Sequence, residues 1–256
     1  MTAAQPPTSI PSVSAPVAMI TGAARRIGAA IARHLHAAGY DLALHYHAAA
    51  DDMRALVAEL ESVRPGSVLP LQADVAEFDR LPELVAHAMG RFGRLDGLVN
   101  NASAFFPTPI GTATPAQWEA LFAVNARAPF FLAQAAAPHL AERGGAIVNI
   151  ADVYALHPRA DLSVYSTSKA ALLGATRALA ISLAPRVRVN AIAPGAILWP
   201  DAGVDPELQK ALLASTPLAR TGTPEEIAGV VAWLLRDADY VTGQVLRVDG
   251  GRHLAS

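Results

Sequence analysis

Val17-Ala18-Met19-Ile20-Thr21-Gly22-Ala23-Ala24-Arg25-Arg26-Ile27-Gly28 decides how this chain is read. Four apolar residues make a short strand, Gly22 and Gly28 bracket a turn, and a helical pattern runs on to about residue 38. Glycines here let the backbone approach a bulky anion, and the following helix aims free N–H groups and its positive dipole end at the same point. Strand, glycine turn and helix in this order predict a site for a dinucleotide's pyrophosphate, formed by Gly22, Arg25, Arg26, Ile27 and Gly28. Two glycines alone would fit any strand-to-helix turn. The arginines add information, because the helix dipole disfavours basic residues at a helix start unless an anion occupies the site.

Outward from this turn, strands and helices alternate. Candidate strands are 17–20, 41–46, 67–71, 95–99, 145–150, 187–192 and 244–248. Helical or small-residue-rich segments lie near 26–38, 51–63, 79–92, 115–141, 163–184 and 224–236. Strands such as Ala146-Ile147-Val148-Asn149-Ile150 are apolar on both faces, as a parallel sheet covered on both sides requires. Helices between successive strands give right-handed βαβ crossovers. The expectation is an α/β fold, one doubly wound Rossmann-like domain over 16–256, after a tail at 1–15 whose Pro, Ser, Thr and Ala have little to bury.

The totals exclude several function classes. The chain has 256 residues, 52% hydrophobic and 16% charged, so a large core is available. A net charge of −2 gives no reason to expect nucleic acid or an anionic membrane surface as partner. Without cysteine there is no disulfide, thiolate metal site or cysteine nucleophile, which suits a reducing compartment. No signal-like N-terminus and no apolar run of about 18 residues is present, so a cytoplasmic protein is expected.

Ligands of open α/β sheets bind at the carboxyl ends of strands. At the tip of the second strand, His45-Tyr46-His47-Ala48 has no Asp or Glu to accept from a ribose 2′-hydroxyl. Arg25 and His47 suit a 2′-phosphate instead, which predicts NADP(H). Asp74-Val75 follows the third strand and Asn100-Asn101-Ala102-Ser103 the fourth, tracing the same edge. No third ligand joins His45 and His47, so no metal is expected there. Tyr165 and Lys169 stand at i and i+4 on one helix face. An ammonium about 4 Å from the phenol, at an effective dielectric of 20, favours the phenolate by on the order of 4 kcal/mol. The spacing therefore predicts a tyrosine whose pKa falls from about 10 towards neutrality.

Taken in order, the first turn, Asn100-Asn101-Ala102, Asn125, Tyr165-x-x-x-Lys169, Pro194-Gly195 and Val248-Asp249-Gly250-Gly251 resemble the short-chain dehydrogenase/reductase superfamily. The resemblance covers about residues 16–251. It implies a seven-stranded parallel sheet, hydride transfer with a nicotinamide cofactor and a homotetramer. It also implies that Lys169 holds the nicotinamide ribose, that Asn125 helps position Lys169 through water, and that Tyr46, Asn101, Ala102, Pro194 and Gly195 touch the cofactor.

Three departures resemble pteridine reductases more narrowly. Arg26 replaces the middle glycine of the turn, Asp152 stands 13 residues before Tyr165 where most members have serine, and Ser103-Ala104-Phe105-Phe106 follows Asn100-Asn101-Ala102. The implied substrate is a pterin. Phe105 would stack on its ring, Arg26 would bridge pyrophosphate and ring edge, Ser103 would add a hydrogen bond, and Asp152 with Tyr165 would deliver a proton to a ring nitrogen. Ala48 departs from the basic residue of protozoan members, leaving more of the 2′-phosphate to Arg25. Arg159 also departs from that pattern, and the expectation is that it meets an anionic tail of the substrate. Two other readings stand beside this one: a carbonyl reductase, which the missing neutral hydroxyl at residue 152 opposes, and a non-catalytic NADP(H) sensor, which an intact Tyr165–Lys169 pair opposes.

Overall fold

The computed structural model describes residues 15–198 and 206–254. Of the tail expected at 1–15, only Ala15 falls among them. Seven strands form one parallel sheet: β1 (Val17–Ile20), β2 (Asp41–Tyr46), β3 (Val68–Gln72), β4 (Gly97–Asn100), β5 (Ala146–Ile150), β6 (Arg188–Pro194) and β7 (Val245–Val248). Their order is β3-β2-β1-β4-β5-β6-β7. All seven match expected strands to within one or two residues.

Alternation along β1 shows why both faces are apolar. Ala18 and Ile20 pack into one core with α1 (Arg26–Ala37), α2 (Ala50–Val63) and α8 (Pro224–Arg236). Val17 and Met19 point the other way, into a second core with α3 (Arg80–Phe92), α5 (Ala128–Ala141) and α6 (Ser163–Leu183). Three helices per face cover the sheet and bury its inner strands, the doubly wound arrangement, while the edge strands β3 and β7 stay partly exposed.

β1 pairs with β2 on one side and with β4 on the other, with Ala18 opposite Gly97. The chain winds outward in both directions from this pair, so a crevice opens above their carboxyl ends. The Gly22 turn and the Asn101 loop form its walls.

The segment 115–141 is helical throughout, as expected, but not uniformly α. α4 (Pro115–Phe122), capped reciprocally by Thr114 and Gln117, gives way to a wide π turn at Ala123–Arg127 before α5 begins. The extra residue in such a turn re-aims a side chain, and here it carries Asn125 inward. A further helix, α7 (Pro206–Ala214), lies where none was expected.

Candidate active site

The first turn is folded tightly onto itself and onto the end of β4. Gly22 has φ +62°, and a Cβ there would lie 2.9 Å from the Cα of Ala102. A Cβ on Gly28 would come within 2.2 Å of the Gly22 carbonyl oxygen. The Asn101 amide nitrogen donates to the carbonyls of Thr21 and Gly22, both at 2.9 Å, and the Thr21 hydroxyl accepts from the backbone of Asn101 and Ala102. The structure thus shows Asn101 and Ala102 bracing the turn.

His45 completes this bracing and was read from sequence only as part of a strand. Its Nδ1 accepts from the N–H of Gly22 at 3.2 Å, which leaves Nε2 to donate to the Ala73 carbonyl at 3.0 Å. The ring is therefore neutral, and burial lowers its pKa below the ordinary histidine value.

No acidic residue occupies the first turn of α1. Arg26 has φ +52°, the left-handed region a side chain enters at a cost of about 1–2 kcal/mol. Its guanidinium donates to the Leu198 carbonyl at 3.1 Å, across the crevice. Beside the turn, Gly22, Arg25, Tyr46, His47 and Ala48 line a recess of about 320 Å³. Arg25 is held by Asp52 of α2 at 2.5–2.6 Å, and His47 lies 4.0 Å from Asp74. Asp74 otherwise caps its own turn at Ala76, and Val75 is buried in the core.

The catalytic candidates converge in a neighbouring cavity of about 210 Å³, whose lining includes Arg26, Ser103, Asp152, Tyr165, Lys169 and Gly195. Ile27, Asn101 and Pro194 also border it. Asp152 follows β5, and its carboxylate divides its work. Oδ1 accepts from the N–H of Tyr154 at 2.8 Å, forming a short helical turn, while Oδ2 accepts from the Tyr165 hydroxyl at 2.8 Å. Burial raises the Asp152 pKa above the usual carboxylate range, against the opposing pull of these hydrogen bonds and of Lys169.

Tyr165 departs from expectation. Burial first, and then the adjacent Asp152 charge, push its phenol well above its ordinary value. The phenol keeps its proton, and the lowering predicted from Lys169 does not prevail. Lys169 is itself buried and donates to the Ile150 carbonyl at 3.0 Å. Desolvation brings its pKa down to about 8. Phe105, 53% exposed, meets Tyr165 edge to face with ring centres 4.7 Å apart.

Asn125 organises the rear wall. Its amide nitrogen donates to the Ala104 carbonyl at 2.9 Å and to the Ser168 hydroxyl at 3.0 Å. Its oxygen accepts from the Ala104 N–H at 2.9 Å and the Ser103 hydroxyl at 3.1 Å. Ser168 was missed by sequence reading, although its place one residue before Lys169 was a usable signal. Arg159 is paired with Asp161 through two 2.6 Å bonds, so an anionic tail would have to compete with that carboxylate.

The residues present fit a dinucleotide. A buried ammonium has three donors, and Lys169 spends one on protein. The turn supplies a glycine cradle at a helix start free of acids. Among the described residues, no helix is long and apolar enough to cross a membrane.

Comparison with known proteins agrees. Residues 22–253 match the family described as Enoyl-(Acyl carrier protein) reductase. A pteridine reductase 1 of Leishmania tarentolae is 37% identical, covering 95% of this chain and 98% of its own length. An uncharacterized oxidoreductase of Methylorubrum extorquens is 39% identical over 92% and 96%, and a 3-oxoacyl-acyl-carrier-protein reductase of Staphylococcus aureus is 36% identical over 93% and 98%. Fold, site and relatives agree on an oxidoreductase that binds a nicotinamide dinucleotide, and the chain belongs to the short-chain dehydrogenase/reductase superfamily.

Proposed function

We propose that this protein is an NADPH-dependent pteridine reductase, reducing dihydro or oxidised pterins to tetrahydro forms. The carrying observation is the buried Asp152 carboxyl, bonded to Tyr165 at 2.8 Å and shifted towards its protonated form. A carbonyl substrate needs a neutral hydroxyl donor at its oxygen. A C=N bond needs a proton at nitrogen, which a carboxylic acid with a raised pKa can hold and a phenol can pass on. When bound, the reduced nicotinamide supplies hydride to the carbon of that bond.

The remaining roles belong to side chains. Lys169 would hold the nicotinamide ribose, with Pro194 and Gly195 forming the wall beside it. Phe105 offers an aromatic face to a flat ring. Arg26 and Ser103 supply donors to its edge, and Asn125 keeps Ser103 in place. Arg25 and His47 favour a 2′-phosphate over a bare ribose. We further propose the homotetramer implied by the family resemblance, which light scattering would test, and a cytoplasmic location.

Initial rates of NADPH oxidation with dihydrobiopterin, dihydrofolate and an acetoacetyl thioester, measured side by side, test the reading. Turnover of a pterin is expected. Activity on the thioester alone would overturn it in favour of a carbonyl reductase.

A further inference from the structure

A second recess adjoins the catalytic corner, and reduction of a bare ring makes no use of it. Tyr154, His157, Arg159, Arg252 and His253 line a volume of about 220 Å³. Tyr154 connects the two sites, since its N–H donates to the Asp152 carboxylate. Four of these five side chains are basic or can become so.

Most of that charge is already answered. Arg159 is paired with Asp161, and the His253 ring lies 2.8 Å from Asp249. Arg252 differs. Its guanidinium carbon lies 5.4 Å from the centre of the Tyr154 ring, and Nη2 reaches the Tyr154 hydroxyl at 3.5 Å. Among the described residues, no carboxylate lies within ion-pair distance of it, and its charge is felt only at longer range by Asp152. The Arg159 guanidinium lies 5.6 Å from the same ring centre, so Tyr154 is fixed by two cations.

We propose that this recess is a subsite for a carboxylate-bearing arm of the substrate, with Arg252 as its charge partner and Tyr154 as the surface it lies on. A guanidinium fixed by an aromatic ring offers the planar fork that pairs two-pronged with a carboxylate. Applied to the pterin reading, on which the substrate assignment rests, this makes the preferred substrate a pterin with an acidic side arm.

The test uses the full-length enzyme, Arg252→Ala and Arg252→Lys. KM is measured for dihydrofolate, whose arm ends in carboxylates, and for dihydrobiopterin, whose arm is neutral. The ratio of the two KM values is expected to rise tenfold or more in Arg252→Ala, and by less in Arg252→Lys, which keeps the charge without the fork. Calorimetry with p-aminobenzoylglutamate, the arm without the ring, should show binding to the wild type that weakens at least tenfold in Arg252→Ala. Arg252→Gln replaces the alanine variant if that variant does not fold. A KM ratio and an arm affinity both within twofold of wild type overturn the subsite. If the wild type reduces neither pterin, the pterin reading fails, and the calorimetry alone decides the subsite.

Discussion

Arg26 concentrates the tension of this site in one residue. It sits at φ +52°, where glycine would be at ease, and its guanidinium reaches across the crevice to Leu198. Arg26→Gly relieves the backbone while Arg26→Ala keeps the strain. After allowing for the greater freedom of glycine in the unfolded chain, the difference is about 1 kcal/mol. The glycine variant should melt about 2–4 °C above the alanine variant, and both should lose pterin affinity. Equal melting temperatures would show that the position is not strained. Asp152→Ser is expected to lower turnover of pterins about 100-fold while shifting preference towards carbonyl substrates, which parallel assays of kcat would register. Lys169 is expected to set the alkaline limit of activity. Its folded pKa of about 8 lies below the ordinary lysine value, so the ammonium is lost as pH rises through about 8. Activity should fall there. Stability should move the opposite way, rising as pH climbs from about 8, because the unfolded chain still binds the proton that the folded chain has released. Lys169→Arg should move the activity limb upward, and an unmoved limb would assign it to another group.

Between elements, the contact from Arg25 to α2 is expected to tune cofactor choice under the proposed NADPH reading. Arg25 is already occupied by Asp52, an exposed pair worth at most about 1 kcal/mol. An incoming 2′-phosphate competes with that carboxylate. Asp52→Asn should tighten NADPH by up to about fivefold with little change for NADH, and Arg25→Ala should weaken NADPH selectively. Dissociation constants for both nucleotides measure this. β2 carries a different control. His45 has its pKa lowered by burial, and its unprotonated Nδ1 accepts from Gly22. The depressed value means that its contribution to stability is full above the unfolded histidine pKa of about 6.5 and is lost as pH falls through the folded value. Melting temperature should decline on that acid side, and His45→Gln should flatten the decline. The π turn of Ala123–Arg127 works at the same scale, delivering Asn125 to the Ser103–Ala104 loop and to α6.

Across the whole molecule, the sheet was legible because burial on both faces leaves continuous apolar runs such as Ala146–Ile150, which few other environments tolerate. The π turn was not legible, since Ala123-Val124-Asn125-Ala126 continues a helical pattern without a breaker. Nor was the bracing role of His45, whose partners lie 23 residues before it and 28 after. The Asp152–Tyr165 contact was anticipated through the family resemblance, but the protonation of the pair depends on burial, which the sequence does not report. The contact of Arg252 with Tyr154, 98 residues away, is likewise not visible in the sequence.

The stitching of Thr21 to Asn101, 80 residues downstream, has a consequence for how the chain comes into being. β1, β2 and β3 emerge first from the ribosome, yet the other edge of β1 waits for β4. The glycine turn cannot take its final form until that long-range pairing closes, and such pairings form late. A nascent or partly folded chain is therefore expected to lack the nucleotide site, and a cofactor that binds only the finished protein would draw late intermediates towards the native state without rescuing early ones.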